Sequence, residues 1–297
     1  TKRYVMTNLN VAFCGLSKNC INTIEENIKQ IFSMRNNYKD VNISLFIVDS
    51  DSSDGTKEII SKYEKDNEFI VYRDLDDLEK NYNSRIERIT LSRNLCLDEL
   101  KLKNYDNLIY IPIDLDVNLF ELTDIESFHK ILNSFVNQNT YDAIFPISSP
   151  NYYDIFALRA KGWHNLNSSL LIHKIKKVIF FGSFFLNYFL IFRKQLTEKK
   201  IKSKNFNVIS AFGGAGMYKL INNKLLQIEY MTDKSNPEHV SEHILFNSNF
   251  ENLDILSDWV IPAPAEHVRF HTLTFKEKIV YFMKTIKNDF KQKLFIK

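Results

Sequence analysis

Five short apolar runs separated by segments of helical period constrain this chain more than any other feature. Val11–Leu16, Ile43–Val48, Phe69–Tyr72, Leu108–Ile113 and Ala143–Ile147 read as buried strands. Between them, Ile21–Met34, Lys57–Tyr63, Ser84–Leu102 and Asp124–Val136 place apolar residues three and four apart, as helices do. Strands joined by helices of this length need right-handed crossovers and a largely parallel sheet, with ligands beyond the carboxyl ends of the strands. The expectation is an α/β fold with a mixed, mainly parallel sheet flanked by helices. Ser17–Cys20, Asp49–Thr56 and Asp114–Asp116 each follow a strand and should meet at one sheet edge. From about Tyr152 the pattern is less regular and reads as the second half of the same domain. That domain is assigned to residues 1–274, followed by a helix over 275–297.

The fourth run ends in Asp114-Leu-Asp116, two carboxylates one residue apart at the end of a dry strand. A divalent cation makes such a concentration of negative charge tolerable. Mg²⁺ and Mn²⁺ take oxygen ligands and keep water or phosphate oxygens in their shell, which suits a nucleotide diphosphate better than a closed protein cage. The loop Asp49–Thr56 has the Asp/Ser/Gly composition of a turn running into a helix N-cap. Glycine is scarce, yet three of the seven cluster in Phe212-Gly-Gly-Ala-Gly216. Backbone amides there suit a sugar hydroxyl or a phosphate, with a plain turn as the alternative; the spacing is too irregular for a Walker or dinucleotide fingerprint.

Composition excludes several classes. A net charge of +3, mixed along most of the chain with the C-terminus as the exception, is too small to argue for nucleic acid. Cys14, Cys20 and Cys96 are odd in number and lack metal-site spacing, so they read as reduced thiols of a cytoplasmic protein. No secretory signal opens the sequence, which begins at Thr1 rather than Met and leaves open what precedes it. The apolar stretch Val178–Phe192, at 15 residues, falls short of the roughly 20 that cross a bilayer and reads as a buried or interfacial helix.

Ile47-Val-Asp-Ser-Asp-Ser-Ser-Asp-Gly-Thr56 resembles the nucleotide-binding segment of family 2-like glycosyltransferases, and Asp114-Leu-Asp116 is similar to their Asp-X-Asp metal motif. The match keeps Asp49, Ser52, Asp54, Gly55 and Thr56, with Ser50 where a second Asp usually stands and Asp51 where Gly does. Ser92-Arg-Asn94, Tyr152-Tyr-Asp-Ile-Phe-Ala-Leu-Arg159, Phe212–Gly216 and Ser241-Glu242 resemble, in order, the spaced blocks of the fungal capsule-associated mannosyltransferase-like group and its bacterial relatives. The resemblance spans about Val11 to His271. It implies the nucleotide-diphospho-sugar (GT-A) fold and a Mn²⁺- or Mg²⁺-dependent transfer of a hexose from a nucleotide-diphosphate sugar to the hydroxyl of a glycan or lipid-linked glycan. Ser17, Asn19, Asp49, Asp51, Asp54, Arg93, Asp114, Gly213 and Gly214 are then the donor-side candidates. Asp114, Asp116, His267 and His271 are the metal candidates, with Arg269 adding positive charge.

Asn236-Pro-Glu-His-Val-Ser-Glu-His243 predicts a helix with Asn236 as N-cap and Pro237 at the first position, which sets Glu238 and Glu242 four apart on one face. Glu238 sits in the first turn, where the helix dipole accounts for it, so Glu242 is the candidate acceptor-activating base. The resemblance points to the same residue. Two rivals remain: a nucleotide-sugar-binding module without transfer, and a zinc peptidase through His239-x-x-Glu242-His243. Trp163 with Tyr152 or Tyr153 is either a sugar-stacking pair or core. In the tail, Phe275, Ile279, Phe282, Met283, Ile286, Phe290 and Leu294 recur at helical spacing among seven lysines and two acids. Such a basic amphipathic helix either lies peripherally on an anionic membrane or packs on the domain with a solvated lysine face.

Overall fold

The computed structural model describes residues 9–103, 105, 107–138, 140–178, 182–195, 205–221 and 224–294. The five expected strands form as β1 (Leu9–Ser17), β2 (Val41–Ser50), β3 (Ile70–Leu75), β4 (Asn107–Asp114) and β5 (Ala143–Ser149). The helices between them are α1 (Ile24–Asn37), α2 (Thr56–Asp66), α3 (Leu78–Asn81), α4 (Arg85–Leu102) and α5 (Ile125–Asn137). Ser84 and Asp124 cap α4 and α5, their side chains accepting from the amides of Glu87 (3.2 Å) and Ser127 (2.7 Å). Beyond β5 come α6 (Ser168–Val178), α7 (Ser183–Asn187), a π-helical turn (Tyr188–Phe192) and α8 (Arg193–Gln195). The chain then forms β6 (Asn205–Val208), β7 (Met217–Ile221), α9 (Lys224–Gln227), α10 (Glu242–Asn247), β8 (Leu253–Pro262), α11 (Ala265–Thr272) and α12 (Phe275–Leu294).

The eight strands lie in one sheet in the order β3-β2-β1-β4-β7-β5-β8-β6. The first four are mutually parallel, β7 runs antiparallel between β4 and β5, and β6 is an antiparallel edge on β8. This is the expected mixed, mainly parallel sheet flanked by helices. Both faces are covered, as strands without polar alternation require. Val11, Phe13, Ile109, Ile111 and Ile113 join one core cluster with Ile24, Ile28 and Ile31 of α1. Ala12, Cys14, Leu108 and Tyr110 join the other with Cys96, Leu97 and Leu100 of α4. All three cysteines are free and buried.

Register brings the loops together. Ser17 pairs with Asp49 and Leu16 with Asp114, so β1, β2 and β4 end at one level. Leu115 is fully buried between the two acids, and a Cβ on Gly15 would stand 2.4 Å from its Cδ1. Glycine at 15 therefore admits Leu115, which anchors the acid pair from below. Buried Asn27 of α1 fixes the same loop from the side: its amide donates to the Val117 carbonyl (2.8 Å) and its oxygen accepts from the Leu119 amide (3.0 Å).

Two expectations in the second half are corrected. The helix read from Asn236 begins at Glu242 with Ser241 as its cap, because the Asn236 amide is held in a turn by the Asp233 side chain (2.7 Å). The stretch Val178–Phe192 is not one helix: Gly182 is extended and the chain restarts as α7 and a π turn, while 179–181 lie outside the described residues. Phe185 and Phe189 in it are half exposed, in keeping with the interfacial alternative. Residues 275–294 of the expected tail are helical, and 295–297 lie outside the described residues.

Candidate active site

A cleft of about 360 Å³ opens at the carboxyl ends of β1, β2 and β4, where a sheet of this kind binds ligands. Ser17, Arg93, Asp114, Asp116, Glu242 and His267 line it, together with Lys18, Arg85, Arg88, Tyr153, Asp154, Phe212 and His243.

One wall is two loops laced by short polar side chains. Asp49 is fully buried, accepting from the Ser17 hydroxyl (2.7 Å) and from the Ser52 hydroxyl and amide (2.6 and 3.1 Å). Asp54 accepts from the Ile21 amide (3.0 Å) and from the Thr56 amide and hydroxyl (3.1 and 2.6 Å). Those bonds hold its carboxyl below the usual carboxylate range, against the effect of its surroundings. Asn19 reaches across to the Ser53 amide (2.9 Å), and Asp51 accepts from the Glu79 amide (3.0 Å). Asn19 and Asp51 both sit in the left-handed region (φ 54° and 58°), which short polar residues tolerate. Asn19, Asp49, Asp51 and Asp54 do not line the cleft. They lace the two loops, of which Ser17, Lys18, Cys20 and Ser50 face the cleft.

The floor is electrostatic. Arg93 is buried and bridges two acids far apart in sequence, donating from Nη2 to Asp114 Oδ1 (2.9 Å) and from Nε to Glu242 Oε1 (3.2 Å). Its guanidinium also lies over the rings of Phe212 and Tyr230, 4.7 and 5.7 Å from their centroids. Glu242, the first residue of α10, is buried; burial raises its carboxyl above the usual range, and Arg93 opposes that rise. Asp116 is pushed up to about 7, first by the surrounding protein and then by Asp114, with Arg85 pulling it down. It is nevertheless open to solvent in the cleft, and water there moderates the shift. Asp114 and Glu242 thus share the buried Arg93, Asp116 feels the more exposed Arg85, and the Nη1 of Arg93 is a buried donor without a partner.

The remaining candidates separate. His267 lines the cleft, stacked on Tyr153 at 5.3 Å, whereas His271 turns away, its Nε2 3.1 Å from Gln195 Oε1. Gly213 and Gly214 lie behind the floor. The Gly213 amide donates to Asp154 Oδ2 (3.0 Å), and the Gly214 carbonyl accepts from the Asp114 amide (2.8 Å), which ties this loop to the acid pair. At Gly214, φ is +93° and a Cβ would stand 2.6 Å from the Tyr153 hydroxyl, so glycine permits that approach. Tyr152 and Trp163 are core, packed edge to face at 5.0 Å, which leaves Tyr153 as the cleft aromatic.

The zinc-peptidase pattern dissolves. His239 precedes α10 and bonds Ser169 (3.0 Å), while buried His243 stacks on Phe212 at 3.7 Å with neither ring nitrogen in a hydrogen bond. Burial lowers the His243 pKa well below the usual value and keeps it neutral. Among the described residues no cluster of three His, Cys, Asp or Glu is placed to hold a metal. Sequence reasoning missed Lys18, Arg85, Arg88 and Asp154. Arg85 and Arg88 carried a signal, lying one turn apart on the helix that presents Arg93.

No protein-family model matches the sequence, and no curated protein matches it significantly. Among solved structures the chain is similar to S. aureus TarS 1–349, with 14% identity over 95% of this chain and 65% of that one and a TM-score of 0.45. It is also similar to glucosyl-3-phosphoglycerate synthase from Mycobacterium tuberculosis in complex with Mn²⁺, UDP and phosphoglyceric acid, with 15% identity over 48% and 44% of the two chains and a TM-score of 0.32. A third is the mannosyltransferase PcManGT from Pyrobaculum calidifontis in complex with GDP-Man and Mn²⁺, with 14% identity over 49% and 37% and a TM-score of 0.34. The chain spans 65% of the TarS segment and less than half of each of the other two. At these identities and TM-scores the likeness is one of chain path alone.

Proposed function

We propose that the protein is a metal-dependent glycosyltransferase that moves a hexose from a nucleotide-diphosphate sugar to the hydroxyl of a glycan or lipid-linked glycan. One observation carries the reading: at the strand-end cleft, Asp114 and Glu242 are both tied to buried Arg93, with Asp116 beside them. Two carboxylates on one buried guanidinium, with Asp116 beside Asp114, leave the floor short of positive charge. A hard cation that draws most of its ligands from water and a diphosphate needs only one or two protein carboxylates. Asp116 and Asp114 fit that donor set, with His267 at its edge. Such an ion, when bound, stabilises negative charge on the departing diphosphate.

The chain's own residues supply the rest. Arg85 and Lys18 border the cleft beside the acid pair and are suited to phosphate oxygens. Glu242, raised by burial, is matched to accept the proton of the acceptor hydroxyl as its oxygen attacks the sugar carbon and the bond from that carbon to the diphosphate breaks. Arg93 orients Glu242 through Nε. Tyr153, stacked on His267, offers an aromatic face to a pyranose.

A nucleotide-sugar screen by thermal unfolding tests this. A ligand that binds only the folded state at a hundred times its dissociation constant stabilises it by about 2.7 kcal/mol. At least one uridine- or guanosine-diphosphate sugar is expected to raise the melting temperature in Mn²⁺ and much less in chelator. Indifference to every nucleotide sugar would remove the proposal.

A further inference from the structure

We infer that the joint face of α7, the π turn and α12 is a docking surface for an anionic lipid bilayer, independently of the reading of the cleft. The two apolar segments that looked separate in sequence pack together: Phe184 and Phe185 lie against Phe282 (4.9 and 5.8 Å), and Phe192 stacks on Phe270 of α11 at 4.2 Å. That packing covers only one side. Phe275 is 80% exposed, Met283 59%, Phe185 54% and Phe189 50%, with Ile279 at 47%. At 3.6 residues per turn, Phe275, Ile279 and Met283 form one stripe along α12, and exposed Lys276, Lys284, Lys287 and Lys291 occupy the adjoining side. An apolar stripe edged by lysines whose stems can lie along it suits the boundary between headgroups and acyl chains.

Charge favours an anionic surface as the occupant. Residues 275–297 carry a formal +5, and the rest of the chain −2, so the basic charge of this protein is concentrated on the element that exposes the apolar stripe. No helix among the described residues is long and apolar enough to cross a membrane, so the contact is peripheral. The inner side of α12 adjoins the cleft, since His267 lines both the cleft and the cavity between α11 and α12, which Lys284 also borders.

Co-sedimentation of the full chain with vesicles tests the inference, using phosphatidylcholine alone and phosphatidylcholine mixed with phosphatidylglycerol. The chain should pellet with the mixed vesicles and be released by salt. The double variant Lys287→Gln/Lys291→Gln should partition about 30-fold less, each lysine near an anionic surface contributing about fivefold. Ile279→Ser/Met283→Ser should also weaken partitioning, with unchanged helix content by circular dichroism in both variants. Absence of binding, equal binding to neutral vesicles, or wild-type partitioning of both variants would overturn it. So would concentration-dependent self-association that both variants abolish while vesicles leave the protein in solution, which would make the face an interface between copies.

Discussion

Glu242→Gln is expected to slow sugar transfer about 10²- to 10⁴-fold while leaving donor and metal affinity near wild type, the range typical of a positioned general base. The substitution keeps the shape and an oxygen that accepts from Arg93 Nε, now 3.2 Å away, and removes the basic site. Loss in kcat without loss of donor binding marks an interaction made in the transition state. Glu238→Gln is the control. Glu238 is exposed, lies outside α10 and does not line the cleft, so transfer should not change. Steady-state rates and donor titrations on both variants decide the matter, with thermal melts to confirm folding. Near-wild-type transfer by Glu242→Gln, or a larger loss at Glu238, would place the base elsewhere.

Asp116→Asn is expected to abolish Mn²⁺-dependent binding of a nucleoside diphosphate with little change in fold, because it removes charge at nearly constant size from a side chain open to the cleft. Calorimetric titration of the diphosphate with and without Mn²⁺ measures this, and wild-type affinity in the variant would sink the assignment. The metal-free protein gives a second readout. Asp116 is raised to about 7 when folded, above an ordinary carboxylate of about 4, so the folded state holds the proton more tightly. Stability from this group is therefore present at low pH and lost as pH rises through that window, moderated by solvent in the cleft. Asn at 116 should flatten that part of the melting-temperature profile between about pH 4 and 7.

The parallel half of the fold was legible because β1 to β5 are continuous apolar runs bounded by cap and turn residues such as Ser84, Asp124 and Gly55. The strands after β5 were not. β6 is four residues long, and β8 contains Ser257-Asp258 near a shift in its register with β5, between Pro146 and Ile147, which interrupts the apolar signal. The helix containing Glu242 was misplaced because Asn236 and Ser241 are both good caps, and the local turn of Asp233 on Asn236 together with the distant Arg93 beside Glu242 decides between them. Within the site, strand-end chemistry exposed Asp114 and Asp116. Asp and Ser serve backbone organisation and ligand binding equally well, so composition alone did not show the bonds that Asp49 and Asp54 make within the loops. The Arg93 bridge spans 149 residues to Glu242, and no local pattern carries a contact of that separation.

The central claim, that this cleft breaks the bond between a sugar and a nucleotide diphosphate, is tested most directly by release of the nucleoside diphosphate from donor sugars. Water commonly substitutes for an acceptor, so purified protein with Mn²⁺ and the donor that stabilises it should release nucleoside diphosphate and free sugar slowly, and faster when a glycan or lipid-linked glycan acceptor is supplied. Release should vanish in chelator and in Asp116→Asn. A donor that binds in the presence of Mn²⁺ yet is never cleaved, with any acceptor tried, would contradict catalysis and leave a nucleotide-sugar-binding module in its place.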